Sequence, residues 1–510
     1  MRVLVFHGYL LHGTGSNVYN ARLAEALVRA GHEVHLLCQD RDPLSLTWVD
    51  AAGDWDGGAL ALRARREPAR ATVYRPAIGG LLPVYVADRY DGIEARRFPE
   101  LSDGEVEAYV ARNVAAVAEV CDRVRPDVAL ANHLVMGPAI LARALGPRGV
   151  PYAVKIHGSA LEYTVKPHPR FEPWAREGLA AARAVLVGSR HTAESLWAAM
   201  DDPELPARTR LGPPGVDVEA FNPLAPDAAR GRLRGLCARL AAMPATPPAA
   251  GAGSFARDPA EAARALGRLE PARDRLVVYV GKLIASKGVE LLLAAWPLVL
   301  REHPDARLLV VGFGAWRDGL ERLAAALAAG DLATARALRA EDGRELPELG
   351  AFLASPLAGD AYVAAAAALP DRVVWTGRLE HDELADVLPA AEALVAPSTF
   401  PEAFGMVAAE GAACGALPVV ARHSGLAEVS EALAARVPAA AREWLSFEVG
   451  PRAVEQLAGC LSGWLDADAR TRAATRDALV AVTRERWSWD GVARTVVAAA
   501  RGHLDDLSTP

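Results

Sequence analysis

Two acids stand eight positions apart in the stretch Pro397 to Val420, PSTFPEAFGMVAAEGAACGALPVV: Glu402 and Glu410. Pro401 disfavours helix at Phe400 and suits the start of one, so the sequence predicts a helix beginning near Glu402. The first turn of a helix presents unpaired, partly positive amides, a seat for a phosphate. Glu410 would lie about two turns further on, projecting from broadly the same side. Ala408, Ala409, Gly411, Ala412 and Ala413 would let something bulky approach closely. Gly415 would end the helix, and Leu417 to Val420 would follow as a buried strand. Two glutamates at this spacing also describe many solvated helices; the surrounding string is what singles these out.

Lys282 and Lys287 bracket a second stretch, Gly281-Lys282-Leu283-Ile284-Ala285-Ser286-Lys287-Gly288. It lies between an expected strand, Arg275 to Val280, and a helix from Val289. Two ammonium groups at a strand-to-helix turn, with glycine at each end, make a diphosphate clamp. The order GxxxxGK[ST] of a Walker loop is absent. His157 follows the expected strand Pro151 to Ile156, and the carboxyl end of a parallel strand faces a ligand crevice. The first strand, Arg2 to Phe6, runs into HGYLLHGTGS, which carries Gly13 and Gly15 but falls short of a full GxGxxG.

These groups need a framework of alternating strands and helices. Asn17 to Ala30 reads as a helix ended by Gly31, and Glu33 to Cys38 as the next strand, a β-loop-α-β unit. Further strands are expected at Asp127 to Ala131, Ala184 to Val187, Arg307 to Val311, Val373 to Gly377 and Ala393 to Ala396. Helices are expected at Leu101 to Arg123, from Val135 to Leu145, at Glu380 to Ala390, and from Trp487-Ser488-Trp489 onward. Residues 40 to 100 read as irregular. Their arginines, Arg63, Arg65, Arg66, Arg70 and Arg75, form a small basic cluster, read as a solvated loop, with an anionic acceptor or a membrane-surface contact as the alternative. The stretch MPATPPAAGAGSFARDP is Pro/Ala/Gly-rich and reads as a mobile insertion.

At 510 residues, with 52% hydrophobic and 23% charged residues, the chain has material for more than one large core. A net charge of −7 argues against a general nucleic-acid binder. Cys38, Cys121, Cys237, Cys414 and Cys460 are far apart, which fits neither a disulfide framework nor structural zinc and suits a reducing cytoplasm. No apolar run is long enough to span a membrane.

The string PS-x-x-P-E-x-F-G-x-x-x-x-E-x-x-x-x-G-x-P-V-V resembles the EX7E signature of retaining glycosyltransferases of the GT-B fold, family 4. The segment Gly281 to Gly288 is similar to that family's G-R-L-x-x-x-K-G, with Lys282 in place of Arg; the charge is kept and the bidentate fork lost. The resemblance implies an α/β architecture of two Rossmann-like, doubly wound domains facing a central cleft. It implies an N-terminal acceptor-side domain over 1–222, a linker or insertion over 223–272, and a nucleotide-sugar-binding domain over 273–485 with an insertion at about 325–370. A terminal segment, 486–510, would pack back on the first domain. The expected activity is transfer of a hexosyl unit from a UDP- or GDP-sugar to an unidentified small-molecule, lipid or glycan acceptor, without a metal or other cofactor.

By the same resemblance, Glu402 would contact the donor's sugar hydroxyls and Glu410 its ribose. The amides around Ala403, Phe404, Gly405 and Met406 would face sugar and phosphate. Lys282 and Lys287 would take the diphosphate, Arg378 would line the base pocket, and His157 would contact the donor sugar. Gly15 would approach the diphosphate, and Gly13, Asn17 and Tyr19 would face the acceptor. Gly425 to Glu428 matches a further loop near the donor. The segment Gly215 to Pro223 resembles the family's domain junction, with Asp217 stabilising a turn. Asp40-Arg41-Asp42 and Asp54-Trp55-Asp56 imitate the D-x-D metal motif of a different glycosyltransferase fold and read as ordinary loop acids. The GT-B fold also serves sugar-nucleotide epimerases and phosphorylases, and a non-catalytic nucleotide-sugar-binding protein remains the alternative outside enzymes.

Overall fold

Arg2–Phe6 (β1) lies inside a nine-stranded sheet in the computed structural model, which describes residues 1–13, 15–56, 58–86, 94–243 and 257–510. Val3, Leu4, Val5 and Phe6 are all buried, as a strand covered on both faces requires. It belongs to the first of two units, Met1–Gly215 with Trp487–Pro510. The strands that follow are β2 (Glu33–Leu37), β3 (Ala51–Asp56), β4 (Ala59–Ala64), β5 (Ala71–Arg75), β6 (Leu81–Val84), β7 (Glu94–Arg97), β8 (Val128–Asn132), β9 (Tyr152–Lys155), β10 (Ala184–Val187) and β11 (Thr209–Leu211). The sheet order is β11-β10-β9-β8-β1-β2-β5-β3-β4, parallel except between β3 and β4, while β6 and β7 pair separately. From β1 the chain passes to β2 on one side, and β8, reached later, pairs with β1 on the other, so the topological switch lies between β1 and β8.

Residues 40 to 100 are therefore not irregular: β3 to β7 fall within them. Short strands with charged, exposed edges lack the alternation that would have revealed them. Of the basic cluster, Arg65, Arg66 and Arg70 lie on exposed bends, as expected, while Arg63 and Arg75 lie on β4 and β5. Arg63 and Arg75 both pair with Asp54, and Arg66 with Asp50, across β3, β4 and β5. Asp40 accepts from the amides of Leu11 and Asp42. The helix Asp103–Val124 starts two residues later than expected, because Ser102 and Glu105 form a reciprocal capping box.

The second unit, Val216–Arg486, holds β12 (Arg275–Lys282), β13 (Ala306–Phe313), β14 (Val373–Gly377), β15 (Ala393–Ala396), β16 (Leu417–Ala421) and β17 (Ser446–Phe447). They form an all-parallel sheet in the order β14-β13-β12-β15-β16-β17. Here the order reverses between β12 and β15. Both units are thus α/β and Rossmann-like. Trp296 and Trp464, on the helices Val289–Glu302 and Ala453–Asp466, are fully buried, and Trp464 Nε1 donates to the Glu392 carbonyl (2.8 Å).

The units divide at Gly215/Val216 and Arg486/Trp487 rather than at 222/223 and 485/486. The segment 223–272 begins and ends in ordered helix, Pro226–Ala242 and Pro259–Leu266; the centre of the expected insertion, 244–256, lies outside the described residues. The region 325–370 carries a run of short helices, including Leu332–Ala337, Pro347–Leu353 and Asp360–Ala366. The terminal helix Trp489–Arg501 belongs to the first unit, where Trp489 packs on Tyr19 (5.5 Å between ring centroids) and covers Gly215. A Cβ at Gly215 would fall 2.6 Å from the Trp489 ring, so glycine is what permits this contact.

Candidate active site

The switch point of the second unit puts the turn after β12 beside the turn after β15, and the two are stitched together through the backbone. Thr399 N donates to the Ser286 carbonyl (3.0 Å), and Thr399 Oγ1 reaches the Ala285 carbonyl (3.4 Å). Gly288 is left-handed (φ +65°), and a Cβ there would sit 2.0 Å from the Pro397 carbonyl oxygen. Only glycine meets both the conformation and the approach.

On this base Lys287 and Glu402 form an ion pair. Glu402 Oε1 also accepts from Ser398 Oγ (2.7 Å), and its backbone N–H donates to Ser424 Oγ (2.8 Å). His423 donates from Nε2 to the Ser398 carbonyl (2.7 Å), which leaves Nδ1 to accept from Ser424 Oγ (3.0 Å). Burial alone would raise the Glu402 carboxyl. The Lys287 ammonium, with the Ser398 hydroxyl, outweighs it and holds the group below its usual value. Glu402 is therefore ionised at neutral pH and oriented by three neighbours.

The helix begins at Met406, not near Glu402, and runs to Ala413. Gly405, at φ +109°, turns the chain into it, and a Cβ there would strike Leu426. Glu402 thus stands on the preceding loop, and the two acids do not share a helix face. Gly425 to Glu428 is not a loop: it lies in the helix Ser424–Ala434. Its start packs under residues 403 and 404, and Gly425 N donates to the Glu402 carbonyl (2.9 Å). Glu410 is buried (2% exposed) and accepts from His381 Nε2 (2.7 Å). Gly415, at φ +80°, follows the helix end as expected.

Lys282, the last residue of β12, lies beside Phe313 of β13 in the sheet register and is half-buried. Arg378 follows β14; its guanidinium chelates Glu380 (2.8 and 3.0 Å) and lies over the Phe313 ring. Glu380 and Glu383 are in turn paired with Arg257.

In the first unit the switch-point strands β1 and β8 deliver His7 and His133, and β9 delivers His157. Their rings are neighbours: 5.7 Å from His7 to His133 and 4.9 Å from His133 to His157, centroid to centroid. His157 Nε2 donates to Asn132 Oδ1 (2.8 Å). Asn20 Nδ2 donates to His7 Nδ1 (3.0 Å), so His7 donates from Nε2 to Asn17 Oδ1 (2.9 Å). Burial disfavours the charged form of all three; His7 is held at about 4, and each imidazole disfavours protonation of the next. Lys155 is also buried, its Nζ donating to the Gly212 carbonyl (2.5 Å), and burial brings it down to about 7.

Gly13 (φ +94°) and Gly15, the exposed first residue of the helix Gly15–Arg29, lie in and after the loop that follows β1. Asn17 and Tyr19 are both 1% exposed, Asn17 on His7 and Tyr19 between His157 and Trp489. They brace the imidazoles rather than present a surface. His133, His381, His423 and Ser424 carry no mark in residue type or spacing that distinguishes them, whereas Ser398 stands within the Pro397 to Glu402 string. Among the described residues no group of three or more His, Cys, Asp or Glu is placed to hold a metal ion, and the five cysteines are free.

Two Rossmann-like units, each with polar and charged side chains gathered at its switch point, define a class. A family model described as "Glycosyl transferase 4-like domain" matches residues 14–204, and one described as "Glycosyl transferases group 1" matches 267–333 and 361–443. The fold is that of the GT-B glycosyltransferases, and each of the two units carries a match to a glycosyltransferase domain model. The break in the second match, 334–360, falls within the run of short helices described above. HepE of Anabaena, solved with UDP and glucose, superposes with a TM-score of 0.60 at 15% identity over 98% of this chain and 99% of that one. Sucrose-phosphate synthase of Thermosynechococcus elongatus gives 0.59 at 19% identity, over 98% of each. Among curated sequences the chain is 26% identical to an uncharacterised glycosyltransferase of Methanocaldococcus jannaschii over 44% of each chain. It is 30% identical to D-inositol 3-phosphate glycosyltransferase of Segniliparus rotundus, over 51% of this chain and 46% of that one. The chain thus spans a little under half the length of these curated relatives.

Proposed function

We propose that this protein is a retaining hexosyltransferase of the EX7E type, taking its sugar from a UDP- or GDP-sugar and passing it to a hydroxyl acceptor. The observation that carries this reading is the Lys287–Glu402 pair at the β12/β15 switch point, with Glu410 on the helix that follows. The presence of UDP and glucose in the HepE structure supports a nucleotide-sugar donor.

In this reading the difficult event is departure of a dianionic diphosphate from the anomeric carbon. Lys282, Lys287 and the amides from Ala403 to Met406 neutralise that charge as it develops. An arriving diphosphate competes for the Lys287 ammonium, which frees the Glu402 carboxylate to accept from sugar hydroxyls. Each charge-assisted contact contributes about 1.5–3 kcal/mol. Glu410 holds the ribose. The leaving phosphate takes the acceptor's proton, and attack on the same face retains the anomeric configuration.

A thermal-shift screen against UDP-, GDP-, ADP- and TDP-sugars names the donor, since a ligand bound only to the folded state raises the melting point. Glu410→Ala is expected to abolish transfer while keeping a native melting profile. Wild-type turnover by that variant would refute the assignment. An inverted anomer in the proton NMR spectrum of the product would rule out retention.

A further inference from the structure

His381 sits where neither expected motif reaches, at the first turn of the helix His381–Val387. Its Nε2 donates to Oε1 of the buried Glu410 (2.7 Å). Its Nδ1 is buried and meets no partner among the described residues. An imidazole with a single hydrogen bond is not oriented by that bond alone, because the ring can turn about its axis. A further constraint is Phe221, 1% exposed, whose ring centroid lies 5.1 Å from that of His381.

Phe221 is itself fixed by a closed turn. Asp217 Oδ1 accepts from the amides of Glu219 (3.2 Å) and Ala220 (3.1 Å), and the Asp217 carbonyl accepts from Phe221 N (2.7 Å). Asn222 Nδ2 closes the turn on the Glu219 carbonyl. All of these residues belong to the second unit.

We propose that Phe221 and His381 are positioning residues for nucleotide recognition: Phe221 fixes the imidazole, the imidazole occupies Oε1 of Glu410, and Oε2 is thereby presented to the donor's ribose hydroxyls. The role rests on the donor-site reading given above. A carboxylate without this tether could rotate about its last bond and offer neither oxygen in a fixed direction. Binding would then carry the cost of ordering it. The interaction is felt when nucleotide binds and is unchanged at the reacting carbon, so it acts on KM rather than kcat.

The test measures equilibrium binding of UDP and of GDP, and donor KM and kcat with UDP-glucose and GDP-mannose. The variants are His381→Ala, His381→Gln, Phe221→Leu, Glu410→Gln and the double variant His381→Ala/Glu410→Gln. His381→Ala is expected to weaken nucleotide binding about tenfold and raise donor KM in step, with kcat changed by less than about twofold. His381→Gln, which keeps an N–H donor, restores most of the loss. Phe221→Leu gives a smaller loss in the same direction. The double variant binds no more weakly than Glu410→Gln alone, because the two side chains act as one unit. Should His381→Ala not fold, Phe221→Leu and a further pair, His381→Gln against an added His381→Leu, decide the matter. Wild-type affinity in His381→Ala, or full additivity in the double variant, overturns the positioning role while leaving the donor site standing. Failure of the wild-type protein to bind either nucleotide overturns both.

Discussion

Lys287 has two claims on it. In the protein as it stands its ammonium belongs to Glu402, while a diphosphate at the same turn would take it over. The pair is about a quarter exposed on each side, so solvent screens it and its share of the folding energy is small. Lys287→Ala is therefore expected to cost about 1 kcal/mol of stability, yet to lower transfer by at least about a hundredfold through loss of charge stabilisation. Denaturant melts and steady-state rates on one preparation check both. A large loss of stability with activity intact would reverse the argument. The candidate residues Glu402, Glu410, Lys282 and Lys287 stand out in the sequence because charge, glycine and proline fall at fixed spacings around them. Most of their partners do not. Ser424, His423 and His381 reach the site through loops and helix starts more than twenty residues away in sequence, and no local pattern records such a meeting.

At the level of elements, the apolar strands declared themselves. Ala184–Val187, Val373–Gly377 and Ala393–Ala396 fall where continuous apolar runs put them. Where the sequence misled, a local preference lost to tertiary contact. Pro401 promised a helix, but Glu402 is drawn aside by Lys287 and Ser424, and the chain turns into the helix only at Gly405. In β3 and β4, Gly53 and the exposed arginines mask strands that are held by cross-strand ion pairs. The element-scale prediction follows from Gly288, which closes the turn after β12 onto Pro397. Gly288→Ala meets a positive φ and a backbone oxygen at once. It is expected to destabilise the second unit by at least about 2 kcal/mol and to abolish nucleotide-dependent stabilisation in a thermal-shift assay. Gly15→Ala, with nothing within 4 Å of the added carbon, should be neutral in the melting assay.

Taken whole, the chain carries buried titratable groups of opposite consequence in its two units. In the first, His7 is lowered to about 4 and Lys155 to about 7, with His133 and His157 also lowered, all chiefly by burial. A base whose folded value lies below its unfolded one binds more protons in the unfolded chain, so stability rises with pH across that interval. For His7 the interval runs from about 4 to the ordinary value of 6.5, and for Lys155 from about 7 to 10.5. Acid therefore weakens the first unit, by up to about 1.4 kcal/mol per pH unit for each group within its interval. The second unit holds the reverse case. Glu290, 3% exposed and with Oε2 unpartnered, is raised by burial to about 8. An acid so raised binds more protons when folded, so its contribution is full below the ordinary value of 4.5 and is lost as pH rises towards 8. Buried cysteines report on each unit separately: Cys38 and Cys121 on the first, Cys414 and Cys460 on the second. Pulsed thiol labelling across a urea series should show the first unit opening earlier as pH falls from 6.5 to 5. Glu290→Gln, an uncharged near-isostere, should leave Cys38 and Cys121 unmoved. It should stabilise Cys414 and Cys460 against labelling at pH 8 by on the order of 2 kcal/mol, and have little effect at pH 5. A uniform shift of all four cysteines at every pH would mean that these charges are not partitioned between the units as the burial of their side chains requires.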